Sequence, residues 1–214
     1  ISPPGGRLTL TSGVPVMTAN ATAQTVIYYT PTETNFVPIY DGVSWKNHSF
    51  SELSVNLASN ANWGSGNIYD WFAASDSGTI RLCSGPAWTS TISRGTGAGT
   101  TELTRQDGVL VNAVSITARH GTASTFTAGT STATYFGSTY MTANGQTGMS
   151  FMPSPSPGGT NNFLAVYNYY NRKHMSSTSR DSNDSWTNSS LVYQAADGSN
   201  SNRVSVLIGI SEDS

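Results

Sequence analysis

Asp70-Trp71-Phe72-Ala73-Ala74-Ser75-Asp76-Ser77-Gly78-Thr79-Ile80-Arg81-Leu82-Cys83 is the stretch that decides the fold. Two short runs of apolar, aromatic and β-branched residues flank Ser75-Asp76-Ser77-Gly78, a group of turn formers. Each run is too short for a stable helix and has the residue types that fit a pleated surface. The segment therefore reads as a β-hairpin. Cys83, the single cysteine, reads as a small strand residue facing a core. Without a second cysteine, no disulfide framework can form within the chain.

The same texture extends outward in both directions. Arg7-Leu8-Thr9-Leu10-Thr11 alternates, and Thr25-Val26-Ile27-Tyr28-Tyr29 is β-branched and aromatic. Phe36-Val37-Pro38-Ile39-Tyr40 carries a proline, which suits an edge strand or a bulge. Ser54-Val55-Asn56-Leu57, Phe163-Leu164-Ala165-Val166-Tyr167 and Val204-Ser205-Val206-Leu207-Ile208 add further strands. Residues 108–116 are expected to form the longest one. Helix signals are nearly absent, and the best candidate is a short one at 47–57. Many short strands separated by turns predict an all-β fold, an antiparallel β-sandwich of jelly-roll-like character.

Parts of the chain recur in order. Met17-Thr18-Ala19-Asn20 returns as Met141-Thr142-Ala143-Asn144, and Asn35-Phe36 as Asn162-Phe163. Tyr40 and Lys46 return as Tyr167 and Lys173, and Ser59-Asn60-Ala61-Asn62-Trp63 as Ser182-Asn183-Asp184-Ser185-Trp186. An internal duplication of a β-rich unit is expected. The units are 1–93 and 133–214, joined by a connector at 94–132, and they could pack as one domain.

Charged residues make up 10% of the 214 residues, against roughly 25% in ordinary globular proteins. The formal net charge is -2, and the basic residues look scattered, with Arg172-Lys173 the nearest thing to a cluster. A nucleic-acid binder shows a basic face or stripe, so no nucleic-acid partner is expected. The even charge also argues against attachment to anionic lipid, and no apolar run is long enough to insert in a membrane.

Motifs that carry chemistry are sparse. His48, His120 and His174 lack metal-ligand spacing, so no metal is expected, and nothing calls for a cofactor. Gly95-Thr96-Gly97-Ala98-Gly99 has no following lysine or helix and reads as a turn rather than a phosphate loop. Asp181 and Asp184 sit in a run lacking the glycine and closing glutamate of an EF-hand loop. Asp70 and Asp76, near Trp63 and Trp71, are the most noticeable carboxylates, and a glycosidase would need two that flank the scissile bond. Asp76 is better explained by the turn beside it. The expectation is a non-enzyme with no catalytic residues.

Aromatic residues are the remaining signal. Tyr167-Asn168-Tyr169-Tyr170-Asn171 is the densest mixture of rings and amides. Rings left exposed beside amides and carboxylates make a sugar-binding surface, the ring stacking on a pyranose face while polar groups take its hydroxyls. Rings more often fill cores. Tyr167, Tyr169, Tyr170 and Trp186 are the candidate binding residues. In a continuous strand Tyr167 and Tyr169 would share one face and Tyr170 would take the other.

One combination of segments points to a family. It comprises Tyr40-Asp41-Gly42-Val43-Ser44-Trp45-Lys46 with Phe50-Ser51-Glu52-Leu53-Ser54, Asp70-Trp71-Phe72 with Ser77-Gly78-Thr79-Ile80-Arg81-Leu82, and Gly85-Pro86-Ala87-Trp88. It closes with Asn202-Arg203-Val204-Ser205 and Gly209-Ile210-Ser211-Glu212-Asp213. Together these resemble virion proteins of tailed bacteriophages and prophages, of the tail-fibre or head-fibre sort. The resemblance implies a structural protein at the virion surface and a homo-oligomer, with a trimer favoured. Its partners would be other virion proteins and a host cell-surface glycan. It transfers no catalytic residue. The alternatives are a glycan-degrading fibre domain, or a capsid decoration protein that binds no receptor.

Overall fold

The computed structural model describes residues 1–152, 154–157, 162–178, 180–182 and the strand at 204–206. Among these there are seventeen strands and no helix. The first eight are β1 (Gly6–Thr9), β2 (Ala21–Gln24), β3 (Val26–Pro31), β4 (Phe36–Tyr40), β5 (Trp45–Ser49), β6 (Leu53–Asn56), β7 (Ile68–Asp76) and β8 (Thr79–Ala87). Next come β9 (Leu103–Gln106), β10 (Val109–Asn112), β11 (Ile116–Arg119), β12 (Thr125–Ala128) and β13 (Ala133–Tyr140). The last are β14 (Thr147–Met149), β15 (Asn162–Leu164), β16 (Val166–Asn168) and β17 (Val204–Val206).

The expected hairpin is the centre of the molecule. β7 and β8 pair antiparallel, with Asp76 opposite Thr79. Ser77 and Gly78 between them both have positive φ, 50° and 93°. A two-residue turn of that hand matches the twist of the strands it joins. β13 lies on the other side of β7, and the eight-stranded sheet runs β12-β11-β8-β7-β13-β10-β9, with β16 also paired to β13. It draws strands from 1–93, from the connector 94–132 and from 133–214.

β7 is buried on both faces, as expected of a strand with no polar alternation. Tyr69, Trp71 and Ala73 enter one apolar cluster, and Phe72 and Ala74 enter another. The first cluster lies against the three-stranded sheet β1-β3-β6, where Tyr29 stacks on Phe136 with ring centroids 3.7 Å apart. Trp71 settles its indole N–H on Thr139 Oγ1 at 2.8 Å, and Trp63 on Ser84 Oγ at 2.9 Å, so both rings are buried with the polar handle satisfied. The second cluster gathers Leu110, Ile116, Ala118 and Ala128 with Phe72 and Tyr135. These come from strands far apart in the sheet order, so the sheet curls over its own face. The fold is an all-β sandwich, and among the described strands the pairings are antiparallel except where β15 runs parallel to β17.

Several expectations need correction. The segment 47–57 is not a helix: it holds the end of β5 and all of β6. The β3–β6 and β4–β5 pairings decide its backbone, and propensity does not. The run 108–116 is not the longest strand, since β10 ends at Asn112. The Asn112 amide donates to Val114 O and Gly129 O and turns the chain into a corner before β11. Pro38 does lie on an edge, because among the described strands β4 pairs with β5 alone. The duplication is not confirmed, and residues 183–203 and 207–214 of the second unit lie outside the described residues. Phe36 lies in β4, which pairs with β5, whereas Phe163 lies in β15, which pairs with β14 and β17.

Candidate functional site

The backbone fixes where the tyrosines of 167–170 go. β16 pairs with β13 through Gly137 opposite Asn168 and Ser138 opposite Tyr167. The approach is close because Gly137 has no side chain: a Cβ there would overlap the Tyr167 carbonyl oxygen. The strand ends at Asn168, and Asn171 takes the left-handed conformation, φ 53°. The chain turns there and runs back across the surface.

Two asparagines lock this segment to the N-terminal strand. Asn168 Oδ1 accepts from Leu8 N at 2.7 Å, and its Nδ2 donates to Leu8 O at 3.0 Å. A side-chain amide thus takes the place of a neighbouring strand for β1. Asn171 Nδ2 donates to Pro4 O at 2.8 Å and to Gly6 O at 3.0 Å.

The expected alternation of the tyrosines fails because the strand stops before Tyr169. Tyr169 and Tyr170 lie in the bend, and their rings meet edge to face at 4.9 Å. Tyr169 N donates to Phe136 O at 2.8 Å, which seats the half-buried ring beside Tyr135. Arg105 Nη2 donates to the Tyr169 hydroxyl at 2.7 Å. The Arg172 guanidinium lies over the same ring, 5.3 Å from its centroid, while its Nε donates to Tyr169 O at 3.0 Å. The Tyr170 hydroxyl accepts from Leu110 N at 2.9 Å. Tyr167 remains on β16 and lines a cavity of about 190 Å³ with Arg7, Val166, Asn168, Arg172, Lys173 and Met175. The fold therefore brings three of the four candidate residues to one surface strip. The fourth, Trp186, lies outside the described residues, as do Asp184 and most of the segment matched to 59–63.

The charge around this strip was not legible in the sequence. Arg7, Arg105, Arg172 and Lys173 are far apart or merely adjacent in the chain, yet the fold gathers them around Tyr167 and Tyr169. Arg172-Lys173 was the only hint. Lys173 holds Glu33 at 2.8 Å across an exposed pair. The bond from Lys173 keeps the Glu33 carboxyl below its usual range.

The two carboxylates singled out as catalytic candidates do not flank a groove. Asp70 is fully buried and held by Arg94, and Asp76 binds Arg81 at 2.8 Å. They stand at opposite parts of β7, six residues or about 20 Å apart along the strand. In the turn beside Asp76, Ser75 Oγ accepts from Gly78 N at 3.1 Å.

A second and larger cavity of about 400 Å³ lies under the β4–β5 hairpin, lined by Tyr40, Asp41, Lys46, His48, Ser75 and Thr132 among others. Lys46 and Asp41 pair there at 2.7 Å, which pulls the Asp41 carboxyl well below its ordinary range. Among the described residues, no three His, Cys, Asp or Glu side chains gather as metal ligands. No protein-family model, curated protein or solved structure matches this chain.

Proposed function

We propose that the chain is a surface-exposed domain of a tailed-bacteriophage virion, of fibre, spike or decoration type, that attaches to a host-surface glycan through residues 167–173. The observation that carries this is the strip of half-buried rings at Tyr167, Tyr169 and Tyr170 with the exposed guanidiniums of Arg105 and Arg172 beside them. Rings fixed by hydrogen bonds lose little freedom on binding and offer flat apolar faces to a sugar. Arginine forks beside them suit the sugar's oxygens. The segments similar to virion proteins supply the setting: an extracellular structural protein, homo-oligomeric and trimeric, in contact with other virion proteins. Its role is attachment without catalysis. Asp70 and Asp76 are each committed to an arginine, so neither favours a glycan-degrading site.

The test is retention of the purified protein on host cells and on a glycan array. Tyr169→Ala should cut binding by about tenfold or more, the scale on which stacked aromatic anchors act, with the fold intact by circular dichroism. Failure of the unaltered protein to bind any cell or sugar would overturn attachment and favour a purely structural decoration element. A light-scattering mass equal to one chain would overturn the trimer.

A further inference from the structure

We propose that the cavity between β1 and residues 166–175 is an oxyanion subsite that takes the acidic group of a charged saccharide. The proposal rests on the glycan-attachment reading and names the class of sugar. Its centre is Arg7, only 2% exposed. Arg7 Nε donates to Pro15 O at 2.9 Å, and Nη1 donates to Asn171 O. Both acceptors are neutral carbonyls, and none of the ion pairs among the described residues involves Arg7. A buried cation is normally paired with an anion, because losing its hydration is costly. Arg94, the other largely buried arginine, meets that rule through Asp70. Arg7 does not, and it faces a cavity.

The other groups around the cavity fit the same ligand. Arg172 stands on its wall with one nitrogen on Tyr169 O. Lys173 also lines it, and its pair with Glu33 is exposed and therefore weak and exchangeable. Three cations thus meet in a space of about 190 Å³, in a chain whose net charge is -2. Val166, Met175 and the Tyr167 ring supply apolar wall. The space is smaller than the roughly 300–1,000 Å³ of pockets that enclose whole ligands. It suits one terminal group, with the rest of the sugar chain running onto Tyr169 and Tyr170. An arginine fork matches carboxylate and phosphate alike. The shared chemistry is an oxyanion carried on a sugar, either a uronate or a sugar phosphate.

The test is calorimetric titration of the full chain with glucuronate, glucose 6-phosphate, glucose and inorganic phosphate at low and high salt. At least one anionic sugar should bind about tenfold more tightly than glucose, with the advantage falling at high salt. The tighter of the two names the source. Arg172→Gln and Lys173→Gln should each remove most of that advantage, whereas Arg119→Gln, the same charge change elsewhere, should leave it intact. Arg7→Lys should retain part of what Arg7→Met loses. Equal affinity for glucose and its anionic forms, or no response to Arg172→Gln, would overturn the subsite. Inorganic phosphate binding as tightly as the sugar phosphate would overturn its saccharide character. If host cells are still retained in those cases, the attachment reading survives without the subsite. If they are not, both fall.

Discussion

Arg94 Nε meets the Asp70 carboxylate at 2.7 Å in a place where Asp70 has no exposure to solvent. Around the pair, Ser138 Oγ donates to Asp70 Oδ1 at 2.6 Å, and Arg94 Nη2 reaches the Tyr135 hydroxyl at 3.1 Å and lies over Trp88. The network pins the loop after β8 to the central sheet. Asp70→Asn would leave the Arg94 charge enclosed without a counter-charge. Stability should fall by about 3–5 kcal/mol in urea unfolding. The double variant Asp70→Leu with Arg94→Met should recover much of that loss, because neither charge is then stranded. A loss well under 1 kcal/mol for Asp70→Asn would show that water already reaches the pair.

Gly137 couples the core to the candidate site. Its missing side chain lets the Tyr167 carbonyl lie against β13. Gly137→Ala should push β16 away and cost about 1–3 kcal/mol, as overpacking does. Because Tyr169 hangs from Phe136 O just beyond that contact, glycan binding should weaken in the same variant. A Gly137→Ala protein of unchanged melting temperature would mean that β16 slides without strain.

The centre of the fold was legible because its signals are local. In β7–β8, the turn residues and both runs of strand formers lie within one short window, and Cys83 sits where a small core residue was expected. The strand Gly108-Val109-Leu110-Val111-Asn112-Ala113-Val114-Ser115-Ile116 was misjudged because its break depends on Asn112 finding Gly129, a partner that apolar content does not reveal. The aromatic part of the site was legible as composition. Its geometry was not, since the end of β16 is set by pairing with β13 and by Asn171 at positive φ. Of the cationic half, the sequence showed only the adjacent Arg172-Lys173. Arg7 reaches residues 167–173 because Asn168 and Asn171 tie the N-terminal strand alongside them.

That tie gives a local prediction. Asn168 satisfies both backbone groups of Leu8 and is nearly buried. Asn168→Ala would leave an N–H and a C=O without partners, at a cost of about 2 kcal/mol. Amide exchange at Leu8 should accelerate strongly, while exchange within β7 and β8 should follow only the global loss. Asn168→Asp should be worse, since a carboxylate would face the Leu8 carbonyl that Nδ2 now serves. Unchanged protection at Leu8 in Asn168→Ala would sink the proposed role of the amide as a strand substitute.

Cys83 supplies the pH prediction. Its thiol is fully buried, and burial pushes its pKa from an ordinary 9.0 up to about 12. At pH 8 the folded protein should ignore a thiol reagent, and the denatured chain should react at once with one equivalent. The sign of the stability effect follows from proton counts. Between about 9 and about 12 the unfolded chain has released the thiol proton and the folded chain has kept it. The unfolded state then holds fewer protons, so stability is intact below about 9 and falls as pH rises toward 12. Tyr29 and Tyr135, both raised by burial, add to the fall at the upper end. Cys83→Ala should remove the part of the decline that begins near 9 and leave the tyrosine part in place. Urea midpoints measured from pH 7 to pH 11 would show it. An identical alkaline decline in both proteins would mean that the thiol is open to water in the native state.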